Sequence, residues 1–250
     1  MFMFPYFNNA EIPVIPFHIY QTWHTKENLQ PGMANTIETI IRDNPEFQHH
    51  LFDDNDCREF IKNEMGDIEG VLEAYDGLVP GAYKADLWRY CIIYRYGGIY
   101  LDIKFKPVND FKFKELVYKE HFVLDRADLI GRPAVYNALI VAKAGNPILK
   151  QCIEKIVFNV KTRNYGKCKL DVTGPTMMAS CFPPYTYLSL NNLRFDGNEK
   201  DNYYIYMIDG KKFSQRKLLE FYPTYRDEQR KTSKTQYYHE LWNQRKIFTN

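Results

Sequence analysis

The sequence predicts an α/β fold in which a mainly parallel, Rossmann-like sheet is flanked by helices. Short runs rich in β-branched and aromatic residues alternate along the chain with segments of helical periodicity. No stretch rich in Pro, Gly or Ser divides the 250 residues, and no segment repeats. The apolar content of 45% is that of an ordinary globular protein. We therefore expect a single domain over residues 1–250, with residues 1–14 as an N-terminal extension.

The first part of the chain predicts two strands, each followed by a helix. The segments IPFHIYQTW, residues 15–23, and EFQHHLFDD, residues 46–54, have strand-like composition. The first helix is expected to end near Asn44, because a proline disfavours helical geometry in the residue before it. The second helix is predicted over residues 53–66, with acidic capping residues and a terminal glycine. The apolar stripe of the first helix comprises Met33, Ile37, Ile40 and Ile41.

A longer helix is predicted over residues 82–96, where apolar side chains recur at three- and four-residue steps before two glycines. The segment IYLDIKF, residues 99–105, then predicts one strand that ends before a proline. Further strands are predicted by HFVLD, AVYNALIVAKA and NYYIYMID, and helices by NPILKQCIEKIVFNV and TGPTMMASCF. Ligands bind beyond the carboxyl ends of strands in such sheets, so Asp102 is expected near a site.

Charge, cysteine spacing and hydropathy exclude several classes of protein. A net charge of +2 and the lack of a nucleic-acid-binding motif argue against a nucleic-acid partner. The five cysteines form no CxxC pair and no zinc spacing, which indicates reduced thiols and a cytoplasmic protein; in a secreted chain Cys152 and Cys168 could pair. No segment approaches the roughly 18 apolar residues of a spanning helix, and no basic region opens a signal peptide. We expect no membrane span.

Charged residues in the stretch KADLWRYCIIYRYGGIYLD are candidates for chemistry. Asp86 and Arg89 are three residues apart, hence neighbours on one helical face. They form either a surface ion pair, worth about 0.3–0.5 kcal/mol, or donors and acceptors for a polyhydroxylated ligand. Asp102 is either an ordinary acid at a strand end or a ligand of a cation that neutralises a diphosphate.

Five segments together resemble glycosyltransferase family 32 in content and order, over roughly Pro16 to Trp242. They are IPFHIYQTW, ADLWRYCIIYRYGGIYLD, YNALIVAKAGNP, TGPTMM and YYHELW. This family carries a DXD-containing sugar-binding region and includes the yeast initiating α-1,6-mannosyltransferase; the clostridial glucosylating toxins are more distantly similar. The resemblance implies a GT-A fold and a retaining hexosyltransferase. Its donor would be a UDP- or GDP-linked sugar, and its acceptor a hydroxyl of a glycan, protein or lipid.

The resemblance also implies a role for individual residues. Asp86, Arg89 and Asp102 match the catalytic set, in which the first two hold the donor sugar and ribose and the third meets metal and phosphates. A metal ion, Mn²⁺ or Mg²⁺, is expected on Asp102 and His239, since imidazole and carboxylate suit such cations. The other positions that match the donor site are Trp23, which would stack on the base, and Asn137, Thr173, Gly174 and Trp242.

Lys104 departs from the family pattern, because it stands where the second acid of the DXD motif is expected. Strand alternation places residues 102 and 104 on one side, and the exchange alters the local charge by about two units. A metal could still bind through Asp102, His239, the diphosphate and waters, or the Lys104 ammonium could replace it. The alternative function is a non-catalytic nucleotide-sugar or glycan-binding protein. We expect retained transfer with a metal, because Asp86, Arg89 and Asp102 are all present.

Overall fold

The computed structural model describes residues 12–126, 130–183, 192–209, 214–232 and 237–249, so most of the predicted N-terminal extension lies outside the described residues. The strands are β1 (His18–Thr22), β2 (Gln48–Phe52), β3 (Gly98–Leu101), β4 (Phe105–Pro107), β5 (His121–Leu124), β6 (Val135–Ala142), β7 (Leu193–Asn198), β8 (Asn202–Asp209) and β9 (Ser214–Phe221). The helices are α1 (Pro31–Asp43), α2 (Asp54–Glu64), α3 (Val71–Gly77), α4 (Gly81–Tyr96), α5 (Pro147–Lys161), α6 (Pro175–Ala179), α7 (Tyr225–Thr232) and α8 (Tyr238–Asn243).

The described strands form one sheet in the order β2-β1-β3-β6-β5-β7-β8-β9-β4. The pairs β1–β2, β1–β3 and β5–β7 are parallel, and the other neighbouring pairs are antiparallel. As a result β2, β1, β3, β5, β7 and β9 run in one direction and β6, β8 and β4 in the other. The predicted α/β class with a mainly parallel strand direction is confirmed. The sheet is nevertheless mixed, because it contains both parallel and antiparallel pairs of neighbouring strands.

Helices cover both faces of the sheet. Successive strand residues point to opposite sides, so they enter different buried clusters. Tyr100 and Ile140 belong to a buried cluster that includes side chains of α2 to α6 and α8. Ile99 and Leu139 belong to the cluster on the other face, which includes side chains of α1 and α7. The alternation in β3 and β6 therefore sets which residues each layer buries.

Helix α4 is buried around most of its circumference. Leu87, Trp88, Tyr90 and Ile92 have no exposed surface, although they cover different sides of the helix. An amphipathic surface helix buries a single stripe, so α4 is a central core helix. Any charged side chain on its inner turns must be neutralised within the protein.

The predicted strand over residues 99–105 is wrong in one respect, because it is two strands separated by a turn. Strand β3 ends at Leu101, and the Phe105 amide donates to the Asp102 carbonyl at 3.1 Å. The chain then enters β4, which pairs with β9 at the far end of the sheet order. A turn rather than strand alternation therefore determines how residues 102 and 104 face each other.

The structure also differs from the sequence-based expectations in the buried face of α1 and in several further elements. Ile41, predicted in the apolar stripe of α1, is 46% exposed, and Thr36 is buried there together with the other three. Strands β7 and β9 and helices α3 and α8 were not predicted. All five cysteines lie in the described ranges as free thiols. No helix within the described part of the chain is long and apolar enough to cross a membrane.

Candidate functional site

Helix α4 carries Asp86 and Arg89 into the protein interior. Asp86 is 9% exposed and Arg89 is 6% exposed, and Arg89 Nη2 lies 3.4 Å from Asp86 Oδ1. The surface ion pair considered from the sequence is therefore wrong. Two opposite charges removed from water on a core helix need further hydrogen-bonding partners, which the neighbouring elements provide.

The Asp86 carboxylate is held by two predicted site residues from distant parts of the chain. The Asn137 side-chain amide on β6 donates to Oδ1 at 2.9 Å, and the Thr173 hydroxyl before α6 donates to Oδ2 at 2.7 Å. Burial raises the pKa of Asp86 to about 6, against the opposing effects of Arg89 and the Thr173 hydrogen bond. The site thus holds a carboxylate whose acceptor orbitals have a fixed direction.

Tyr90 completes this network, and it was not among the residues predicted from the sequence. Its hydroxyl accepts from Asn137 Nδ2 at 2.7 Å and donates to the Thr173 carbonyl at 3.1 Å. Tyr90 follows Asp86 by four residues, so both lie on one face of α4. This spacing is the sequence signal that would have identified it.

Arg89 links the Asp86 network to Asp102. Its Nη1 donates to the Asn137 carbonyl at 2.9 Å, and its Nη2 lies 3.3 Å from Asp102 Oδ1. The guanidinium carbon lies 4.5 Å from the centre of the Tyr100 ring. Arg89 is therefore fixed between two carboxylates and against an aromatic face, which orients its planar group.

Asp102 follows the carboxyl end of β3, as predicted, and both of its oxygens have partners. Oδ1 accepts from the Tyr100 hydroxyl at 2.5 Å, and Oδ2 accepts from Lys104 Nζ at 2.5 Å. Burial works against the charged form, but Lys104 and Arg89 outweigh it and hold the pKa of Asp102 below its usual value. Asp102 is an ionised carboxylate shared by two cations.

Lys104 lies in an aromatic surround. Its Nζ is 5.7 Å from the Phe105 ring centre, 5.3 Å from that of Tyr136 and 5.4 Å from that of Phe221. The Lys104 carbonyl accepts from the amide that follows β9 at 3.0 Å, which holds the turn against that strand. The three rings and Asp102 together fix the position of the ammonium.

A divalent cation fits the Asp102 carboxylate poorly, because it would lie against the positive charge of the Lys104 ammonium, which bonds Oδ2 at 2.5 Å. The Tyr100 hydroxyl bonds the other oxygen. Over the described ranges, no group of three or more His, Cys, Asp or Glu side chains is placed to hold a metal ion. His239 lies exposed on α8. Metal binding through Asp102 and His239 stays a prediction.

The remaining predicted residues lie around this centre. Trp23 is half-buried after β1, the parallel neighbour of β3, so it lies at the same sheet edge as Asp102. A Cβ atom on Gly174 would lie 3.7 Å from Asp86 Oδ2, so this glycine adjoins the carboxylate. Trp242 Nε1 donates to the Tyr165 carbonyl at 2.8 Å, which anchors α8. Base stacking by Trp23 and diphosphate contact by Trp242 stay predictions.

A cavity of about 880 Å³ lies between the β8–β9 side of the sheet and α7. Tyr203, Phe221, Tyr225 and Arg226 are among its lining residues. The Arg226 guanidinium carbon lies 5.4–5.7 Å from the three ring centres. Because Phe221 also contacts the Lys104 ammonium, the cavity and the Asp102 centre share a wall.

Comparisons with known proteins bear out the predicted resemblance. Residues 31–123 match the family described as a glycosyltransferase sugar-binding region containing the DXD motif. The chain is 25% identical over 189 residues to an initiation-specific alpha-1,6-mannosyltransferase of Candida albicans, which covers 65% of this chain and 47% of that protein. It is 37% identical over 89 residues to inositol phosphoceramide mannosyltransferase 3 of Schizosaccharomyces pombe, covering 36% and 24%. The chain spans less than half the length of these two relatives.

A likeness to a solved structure confirms the fold. The PaToxG glycosyltransferase aligns with a TM-score of 0.51 and 18% sequence identity, over 67% of this chain and 68% of that one. The GT-A fold expected from the sequence is therefore confirmed. The matched region contains α4 and the turn after β3, which together provide Asp86, Arg89, Asp102 and Lys104.

Proposed function

We propose that this chain, whose residues 31–123 match the glycosyltransferase sugar-binding region containing the DXD motif, is a retaining hexosyltransferase that uses a nucleotide diphosphate sugar. The observation that supports the proposal most directly is the buried Asp86–Arg89–Asp102 arrangement, with Asn137 and Thr173 on Asp86. A hydrophobic core has no need of two acids and a guanidinium on a central helix and its adjoining turn. Oriented donors and acceptors at a sheet edge suit a polyhydroxylated, anionic ligand.

Each residue has a proposed task in transfer. Asp86 accepts hydrogen bonds from donor hydroxyls, and Arg89 fixes the direction of that carboxylate and of Asp102. The bond between the sugar anomeric carbon and the diphosphate breaks, and a bond to the acceptor oxygen forms on the same face. The departing phosphate oxygen takes the acceptor proton, so charge and atoms balance without a protein base.

The acceptor is proposed to enter through the cavity lined by Tyr203, Phe221, Tyr225 and Arg226. Aromatic rings offer apolar faces to sugar C–H groups, and an arginine stacked on rings offers donors of fixed orientation. Arg226 forms no ion pair with an acidic side chain among the described residues, whereas its helix neighbour Arg230 does. The Arg226 guanidinium donates a hydrogen bond to the Gln229 side chain at 3.3 Å. This supports a hydroxyl-rich or anionic acceptor. The cysteine number and spacing in the sequence support action in the cytoplasm.

The test is to incubate the protein with UDP-glucose, UDP-galactose or GDP-mannose and a panel of glycosides as acceptors. Released nucleotide gives the rate, and proton NMR of the product gives the anomeric configuration. We expect one donor to be consumed faster when an acceptor is present, with the donor configuration kept. An inverted product would contradict the retaining mechanism.

Two other outcomes separate the alternative functions. Binding of a nucleotide sugar with no consumption, in all acceptors tried, would identify a non-catalytic binding protein. Consumption at the same rate with and without an acceptor would identify a nucleotide-sugar hydrolase. Both outcomes would retain the donor site and reject the transfer step.

A further inference from the structure

We propose that Lys104 is the built-in cation of the donor site and meets the donor diphosphate in place of a divalent metal ion. This inference rests on the proposed function, because it names what neutralises the diphosphate in that same site. It is opposite to the metal expected from the sequence. The two ideas differ in which cation faces the phosphates, and that difference can be measured.

The first support is that the Lys104 ammonium is paired with the carboxylate that a metal ion would need as a ligand. Lys104 Nζ lies 2.5 Å from Asp102 Oδ2, while the Tyr100 hydroxyl and Arg89 Nη2 lie 2.5 Å and 3.3 Å from Oδ1. A divalent ion on Asp102 would have to displace the lysine or lie against its positive charge. Both possibilities cost binding free energy, because like charges repel strongly away from bulk water.

The second support is that the surrounding structure determines the position of the ammonium. Phe105, Tyr136 and Phe221 present rings at 5.3–5.7 Å, a distance at which a cation is attracted to an aromatic face. The turn that carries Lys104 is held at both ends, by the Asp102 amide on the Ala138 carbonyl and by the bond to the Lys104 carbonyl. A charge held in place before binding loses little entropy on meeting a ligand.

The third support is that the ammonium keeps capacity for a ligand. The Lys104 side chain is 17% exposed, so it is neither sealed in the core nor free in solvent. An ammonium has three donors, and Asp102 takes one of them. The others can meet phosphate oxygens, a role that lysine performs as a point charge in phosphate-binding loops.

The charges of the centre agree with this assignment. Asp86 and Asp102 are balanced by Arg89 and Lys104, which gives a formal sum near zero before the donor binds. An acid at position 104 would lower this sum by two units and make an added cation necessary for a diphosphate. Lysine at that position removes the need.

Binding of UDP and of GDP, measured by calorimetry in EDTA and in Mn²⁺, tests the inference with a readout that does not depend on turnover. We expect at least one nucleotide to bind in EDTA with the same dissociation constant as in Mn²⁺. Lys104→Met should weaken that binding at least about tenfold, because a charge-assisted hydrogen bond is lost. Methionine has a similar length and packs against rings, so the fold should persist.

Lys104→Asp gives the converse test, because it restores the acid of the family pattern. This variant should lose nucleotide binding in EDTA and regain it in Mn²⁺. Lys106→Met is the matched control, because this substitution removes the same charge two residues further along the chain. Lys106 pairs with Glu220 at 3.2 Å. The Lys106→Met variant should leave both dissociation constants unchanged.

The outcomes distinguish this inference from the proposed function. If the unmodified protein binds UDP or GDP in Mn²⁺ but not in EDTA, the Lys104 inference is overturned while the donor site stands. If it binds in EDTA but Lys104→Met binds equally well, the ammonium is not the phosphate-facing group. If neither nucleotide binds under either condition, the proposed function fails and the inference fails with it.

Discussion

The side-chain amide of Asn137 donates to Oδ1 of Asp86 at 2.9 Å, across 51 residues of sequence. The same amide donates to the Tyr90 hydroxyl at 2.7 Å, so both of its N–H groups are used. The backbone carbonyl oxygen of Asn137 accepts a hydrogen bond from Arg89. A single β6 residue therefore orients the acid and the arginine of α4.

Asp86→Asn is expected to lower kcat/KM for the nucleotide sugar by at least about 100-fold, because the charged acceptor for donor hydroxyls is lost. The side chain keeps its size, so the far-ultraviolet circular dichroism spectrum should not change. Rates of nucleotide release give the effect. Asp76→Asn is the control, since Asp76 is a half-exposed acid paired with Arg58 at 2.6 Å. Equal rates for both variants would reject the role of Asp86.

The pH dependence of stability follows from the pKa of Asp86, which burial raises to about 6 from an unfolded value of 3.8. Between these values the folded state binds more protons than the unfolded state. The free energy of unfolding should therefore fall as pH rises from about 4 through about 6, by an amount on the order of 3 kcal/mol. Urea unfolding of the unmodified protein and of Asp86→Asn, compared across this range, isolates the contribution.

Ionisation of Asp86, which lowers stability, should raise activity toward the donor. The charged Asp86 carboxylate is the better acceptor for sugar hydroxyls, so donor kcat/KM is expected to increase as pH rises through about 6. The more stable protonated form is then the less active one. Asp86→Asn should lack this limb of the pH profile. An unchanged profile in the variant would assign the titration to another group.

Tyr90→Phe is expected to destabilise the fold by about 1–3 kcal/mol, because the Thr173 carbonyl and one Asn137 N–H lose a partner inside the core. Activity should decline less than in Asp86→Asn, since the carboxylate remains. Thermal and urea unfolding measure the change. Tyr94→Phe, one helical turn later, is the control, because the Tyr94 hydroxyl makes no hydrogen bond with described residues. Similar losses in both variants would show that the Tyr90 hydroxyl has no special role.

Arg226→Met is expected to raise the acceptor KM by about tenfold while the donor dissociation constant stays the same. Arg226 lies on the Tyr203, Phe221 and Tyr225 rings in the cavity, and methionine keeps that packing without the charge. Lys231→Met, an exposed change on the same helix, is the control. A change in donor affinity alone would place the cavity on the donor side of the reaction.

Much of the fold was predictable because local physical rules act over short distances. Periodicity identified α1, α2, α4 and α5, and the β-branched runs identified β1, β2, β3, β5, β6 and β8. The strands β7 and β9 were missed because their sequences, LRFDGN and SQRKLLEF, are polar and gain their place by pairing with β8. The strand predicted through Asp102 and Lys104 failed because its second half pairs with a distant strand rather than continuing the first.

The sequence by itself determined the fold class, the order of most elements and Asp86, Arg89 and Asp102 as candidate charged residues, and the family resemblance added Asn137. The family pattern also marked Lys104 as the departure. The fold class and the order of the elements depend on residue type and spacing, which are properties of the chain alone.

Only the tertiary structure decided how those residues meet. Burial of α4 turned an ordinary i,i+3 pair into a buried charge network, and long-range pairing brought Asn137 and Thr173 to Asp86. The surround of rings that fixes Lys104 comes from β4, β6 and β9, which no local pattern connects. The physical reason is that desolvation and charge pairing depend on which groups share a volume, and that sharing is set by the folded chain as a whole.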